Sequence, residues 1–168
     1  MTESPAARRG SAPNKSLRRK QAARVSAVRA LYALSFNEED AALTVDAWAD
    51  SILSGEQESI GADDAERSLT DAPERAMLVT LLESERLHEP RIDTLIRESI
   101  GTSWSVDRLG PLLESILRVA VAELIAKPER TASIIINEYV GLTQAYFDDN
   151  EVGFINGILA TIAKKLRD

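Results

Sequence analysis

The chain has 168 residues, 44% of them hydrophobic and 28% charged, with no cysteine and a formal net charge of −7. That length and apolar share support one domain with a real core. The lack of cysteine excludes disulfides, thiolate metal sites and cysteine nucleophiles, and it fits a reducing compartment. No apolar run approaches the roughly 20 residues that cross a bilayer, and none follows the basic start as in a secretory signal. The expected location is the cytoplasm, with no membrane partner.

The charge is unevenly spread. Residues 1–29 hold eight basic side chains (Arg8, Arg9, Lys15, Arg18, Arg19, Lys20, Arg24 and Arg29) against Glu3, a net of +7, whereas residues 30–168 carry −14. Local potential, not net charge, steers a polyanion, so the basic end reads either as a solubilising tail or as a binding element.

Residues 1–13, with Pro5, Gly10 and Pro13, are expected to form a disordered basic tail ahead of a single helical domain over 14–168. Asn14 or Ser16 can cap the first helix, whose apolar stripe is Val25, Val28, Leu31, Tyr32 and Phe36. A second helix is predicted over Leu43 to Leu53. From about 55 to 72 the pattern stops; the stretch 37–74 carries 12 acids against Arg67, and the segment reads as a mobile acidic loop.

Pro73 fits a first helical turn, with Asp71 as its cap and Met77, Leu78, Leu81 and Leu82 as the buried stripe. Pro90 breaks or kinks that helix. Ile92, Leu95, Ile96 and Ile100 form the next stripe, stopped by Gly101, and Trp104 to Gly110 makes about one turn. Pro111 starts a strong helix that Pro128 stops. Thr131 or Ser133 caps another, with Ile135, Tyr139, Leu142 and Tyr146. A turn at Asp148 to Asn150 leads into the last helix, where Gly153 and Gly157 are expected to permit close packing. The fold class is all-α, a bundle of about seven helices.

The chemistry of catalysis is missing from this pattern. His88 is the sole histidine, which argues against zinc and against a catalytic triad. There is no phosphate-binding glycine loop. The adjacent acids Asp63–Asp64 and Asp148–Asp149 lie in expected loops, where nothing separates their pKa values as acid–base catalysis needs. No catalytic residue, metal or cofactor is expected.

Three stretches carry a resemblance. Ala22-Ala23-Arg24-Val25-Ser26-Ala27-Val28-Arg29-Ala30-Leu31-Tyr32, Ile116-Leu117-Arg118-Val119-Ala120-Val121-Ala122-Glu123-Leu124, and Ile135-Ile136-Asn137-Glu138-Tyr139-Val140 followed by Phe154-Ile155-Asn156-Gly157-Ile158-Leu159 resemble the motifs of the NusB family of transcription antitermination factors. The likeness spans about residues 17 to 166 apart from the acidic insertion. It implies two packed helical subdomains. It also implies binding of the box A element of ribosomal RNA leader transcripts together with NusE, a small-subunit ribosomal protein, in a complex with RNA polymerase and other Nus factors. It leaves monomer and homodimer both open.

By this resemblance Lys20 and Arg24 stand where the family contacts RNA, with Arg18, Arg19 and Arg29 as basic neighbours, since Gln21 and Ala22 fall where the family is often basic. Phe154 matches an aromatic near the RNA, where a ring can stack on a base, although the sequence alone favours core packing for it. Arg118, Asn137, Glu138 and Asn156 read as buried or half-buried groups that satisfy helix ends and each other. The chain departs from the family at Gly153 and Gln144, where lysine is common. It departs again at Leu113, where an acid of the NusE-facing region is replaced and Glu114 follows. Two other readings stand beside this one. The first is a NusB-like module of a ribosomal RNA methyltransferase, for which no catalytic domain is seen before Asp168. The second is a protein-binding helical scaffold, favoured if the first helix's basic residues pair with acids from 37–74.

Overall fold

The computed structural model describes residues 14–55, 72–101 and 109–167. The expected basic tail over 1–13, most of the acidic segment with Asp71, and most of the predicted turn after Trp104 lie outside these residues. Among those described there are seven α-helices, one short 3-10 helix and no strand. They are α1 (Lys15–Leu34), α2 (Val45–Gly55), α3 (Arg75–Leu87), α4 (Glu89–Ile100), α5 (Pro111–Ala126), α6 (Ala132–Gln144) and α7 (Asp149–Arg167), with the 3-10 turn at Glu39–Ala42.

Local chemistry explains the boundaries. Asn14, not Ser16, caps α1: its Oδ1 accepts from the Leu17 N–H at 2.9 Å, satisfying one of the orphan donors of the first turn. Thr44 does the same for α2, accepting from the Ala47 N–H at 3.2 Å. Pro90 sits in the first turn of α4, where its missing N–H costs nothing, and His88 joins α3 to α4. Gly101 and Gly110 have φ of 76° and 74°, a backbone that β-carbon crowding disfavours for other residues. Gly110 thereby turns the chain directly into Pro111, the first residue of α5.

Several predicted boundaries move. α2 begins at Val45 and runs through Gly55, because Thr44 supplies its cap. α3 begins at Arg75, so Pro73 precedes the helix, and Glu74 stands at the cap position. Thr131 occupies the cap position of α6 but its side chain makes no capping bond. Asn150 is already helical in α7. α6 stops at Gln144, leaving Tyr146 48% exposed rather than in the stripe. Gly153 and Gly157 admit no close neighbour: a β-carbon at either would meet nothing within 4 Å.

α5 is the shared axis. It packs on α1 and α3, and separately on α4, α6 and α7; α2 rests on α3, and α7 touches both α4 and α6. Two helical groups, α1–α3 and α4, α6 and α7, thus meet mainly on one helix, with a smaller direct contact between α3 and α4. Its residues Ile116, Leu117, Ala120, Val121 and Ala122 are fully buried. With Leu78, Leu81, Ile92, Ile135, Ile155 and Leu159 they form a continuous core, each large aliphatic side chain contributing about 1.5–3 kcal/mol. No helix among the described residues is long and apolar enough to cross a membrane.

Candidate nucleic-acid interface

α1 is buried round most of its circumference, since Ala22, Ala23, Arg24, Ser26, Ala27, Val28, Ala30 and Leu31 are all inside. A helix turns about 100° per residue, so what remains outward is a narrow sector. Arg18, Gln21, Val25, Arg29 and Tyr32 share it, and none of the five is buried. Arg18 and Arg29 are 11 positions apart (29 − 18), close to three full turns and roughly 16 Å of rise. The sector therefore carries positive charge at both ends and a tyrosine beyond. The apolar stripe predicted for α1 is corrected by the same geometry. Tyr32 and Phe36 are 38% and 67% exposed, with rings stacked edge to face at 5.0 Å and 72°.

Arg24 points the other way. Its side chain is 3% exposed, and its Nε and Nη2 donate to the two carboxylate oxygens of Glu123 on α5, each at 2.8 Å. Nη1 donates to Gln21 Oε1 at 3.3 Å and lies 3.8 Å from Glu138 Oε2 on α6. The Tyr139 hydroxyl donates to the same Glu123 carboxylate. Burial alone would favour neutral Arg24, but the Glu123 hydrogen bonds and charge outweigh it and raise the pKa, so the guanidinium stays ionised. Burial, and then the Glu123 charge, push the Tyr139 phenol well above its ordinary value. The expectation of a direct RNA contact from Arg24 thus meets a guanidinium enclosed in the core. Its geometry is that of a strut holding α1 to α5 and α6.

The remaining predicted residues are distributed along α1 and α7. Arg19 Nε donates to the Ala72 carbonyl at 3.2 Å, and its own carbonyl accepts from Glu74 N at 3.0 Å, which ties the start of α1 to the entry of α3. Lys20 lines a small cleft beside Glu74 and Thr80. Arg18 is half-buried and engaged with neighbours, and Arg29 is exposed. Phe154 is half-buried and packs against the core. The acids Asp46 and Asp50 pair with Arg75, at 3.2 and 3.1 Å.

Asn137 and Asn156, read from the sequence as buried or half-buried, are exposed on α6 and α7. An asparagine inside an apolar helical pattern gives no sign of which way it faces. Arg118 and Glu138 are half-buried as expected.

A second surface lies at the other end of α1. A groove is lined by Leu34, Trp48, Arg86, Asp93, Glu114 and Arg118, among others. Arg118 bridges Glu85 at 2.7 Å and also pairs with Asp93, while the Arg86 guanidinium lies 4.9 Å from the Trp48 ring centroid. Burial pushes the Glu85 carboxyl above the usual range, against the opposing pull of Arg118. Leu113 is buried and Glu114 lines the groove.

These features define a small all-helical protein whose distinctive polar groups lie on helix faces and helix junctions. No group of His, Cys, Asp and Glu able to hold a metal is found among the described residues. A model of the NusB family matches residues 21–164, and the chain belongs to that family. It is 33% identical over 156 residues to the transcription antitermination protein NusB of Sphingopyxis alaskensis, covering 92% of this chain and 98% of the relative. NusB of T. maritima shares the fold at a TM-score of 0.66 and 22% identity, over 87% of this chain and 91% of that one. A chain in the crystal structure of the antitermination factors NusB and NusE in complex with dsRNA matches at a TM-score of 0.63 and 26% identity, over 89% and 98%.

Proposed function

We propose that this chain is a transcription antitermination factor that acts without catalysis. It binds box A RNA of ribosomal RNA leader transcripts together with NusE, within an elongation complex that holds RNA polymerase and other Nus factors in the cytoplasm. The observation that carries the reading is the outward basic sector of α1 on a chain of the NusB family. Related proteins carry the antitermination name, and the NusB–NusE complex with dsRNA supports a shared RNA and NusE function.

Arg18, Arg19, Lys20 and Arg29 supply phosphate contacts, each releasing counterions and adding about 0.7 to the log–log salt slope on a single strand. Phe154, half-buried on α7, stacks on a base. Arg24 serves indirectly, by fixing the rotation of α1 that sets Arg18 and Arg29 outward. NusE occupies the groove between Leu34 and Arg118, whose mixed charges and neighbouring exposed Tyr32 and Phe36 suit a protein partner.

Fluorescence anisotropy of labelled box A RNA and a scrambled control, with and without NusE at two salt concentrations, tests this. Preference for box A that NusE strengthens is the expected result. Equal weak binding to both RNAs, indifferent to NusE, would overturn it.

A further inference from the structure

A cluster of basic side chains remains outside the sector just described. The turn between α5 and α6 carries Lys127 and Arg130, and Lys20 of α1 meets them across a cleft of about 150 Å³ that Glu74, Thr80 and Glu129 also line. Three cations therefore face two carboxylates, leaving a net charge of +1 at a site drawn from α1, α3 and the α5–α6 turn. One phosphodiester carries one negative charge and matches it.

The turn is fixed in place. Arg167, in the last turn of α7, donates to the main-chain carbonyls of Lys127 at 3.0 Å and Leu124 at 3.3 Å, and to that of Arg130. The Arg130 N–H closes the turn on the Lys127 carbonyl at 3.1 Å. Every one of these bonds uses backbone oxygen, so the two basic side chains take no part in holding the turn. They are presented to the cleft by a clamp that costs them none of their donors. Cations placed on a preorganised backbone lose less freedom when an anion arrives.

We propose that Lys20, Lys127 and Arg130 form a second phosphodiester subsite, which carries the RNA strand from the basic start of α1 across the α5–α6 turn. This rests on the RNA-binding reading above and extends its footprint from Lys20 to Lys127 and Arg130, which motif matching did not single out. Glu129 moderates the site, since its carboxylate faces the same cleft.

The test is a salt titration of the full chain with a box A RNA lengthened by several nucleotides at each end. Lys127→Ala/Arg130→Ala is expected to lower the log–log salt slope by about 1.4, two contacts at about 0.7 each, with an unchanged melting temperature because the Arg167 clamp is left intact. Glu129→Gln is expected to tighten binding. An Arg18→Ala/Arg29→Ala variant that loses affinity, beside a Lys127→Ala/Arg130→Ala variant with wild-type affinity and slope, would overturn the subsite while leaving the antitermination reading standing. Loss of binding only to an acidic peptide, and not to RNA, would reassign the cleft to a protein and overturn it as well. Wild-type protein that binds no RNA would remove both readings together.

Discussion

Arg24 and Glu123 are bound through two parallel 2.8 Å hydrogen bonds across 99 residues of chain, and both side chains are withdrawn from solvent. Their pairing fixes where α1 sits on α5, and Tyr139 and Gln21 complete it from α6 and from within α1. A buried ion pair of this kind adds little over a well-packed apolar pair, yet removing one partner strands the other. Arg24→Ala or Glu123→Ala is therefore expected to cost about 3–5 kcal/mol, measured by urea unfolding. Arg24→Met/Glu123→Leu is expected to recover most of that loss. Equal destabilisation in single and double variants would show that the pair matters through packing alone.

The same strut separates stability from RNA binding. Arg18→Ala/Arg29→Ala is expected to lower the RNA salt slope by about 1.4 while lowering the melting temperature less than Arg24→Ala does. Arg24→Ala lowers both stability and affinity. The fitting measurement is an anisotropy salt series beside thermal melts of each variant. A slope unchanged in the double variant would place the phosphates elsewhere.

Phe154 has two duties that substitution can divide. Phe154→Leu keeps apolar volume against the core but removes the π face. RNA affinity is expected to fall about tenfold, in line with roughly 1–3 kcal/mol for a stacked base, with little change in the unfolding midpoint. A variant that unfolds early but binds RNA normally would assign the ring to packing only.

Glu85 should leave a pH signature. Its carboxyl is held above the usual range by burial, despite Arg118, so the native state keeps a proton that the unfolded chain releases near pH 4.3. Where the native state binds more protons, stability falls as pH rises. Wild-type stability relative to Glu85→Gln is thus expected to decline from about pH 4.3 up into the raised range and then level off. Urea midpoints measured every half unit from pH 4 to 7 read this out. A rising difference would mean that attraction to Arg118 outweighs burial.

How much of this was legible in the sequence follows from the range of each interaction. Stripes such as Met77, Leu78, Leu81 and Leu82 in α3, or Ile155, Ile158, Leu159 and Ile162 in α7, are local periodicities, and the structure buries all of them. Pro111, Gly110 and Pro90 mark boundaries through their own backbone chemistry. Arg24 could not be sorted from Arg18 and Arg29, because its direction is set by Glu123, and no local rule reports a partner 99 residues away. Its place among the buried alanines 22, 23 and 27 was the available signal. Tyr32 and Phe36 misled in the opposite sense: apolar rings at helical spacing read as core, yet Tyr32 falls in the outward sector of α1 and Phe36 lies beyond its last residue, Leu34. Lys127 and Arg130 flank a proline in a turn, and only the fold brings them to Lys20.

The most direct test of the antitermination account is terminator read-through in a reconstituted transcription reaction on a box A template, with NusE and the other Nus factors present and this chain added or withheld. Read-through that rises on addition of the chain, falls back with Arg18→Ala/Arg29→Ala, and is absent on a scrambled box A template is the predicted result. Read-through that does not respond to the chain, under conditions where box A RNA is bound, would contradict the account.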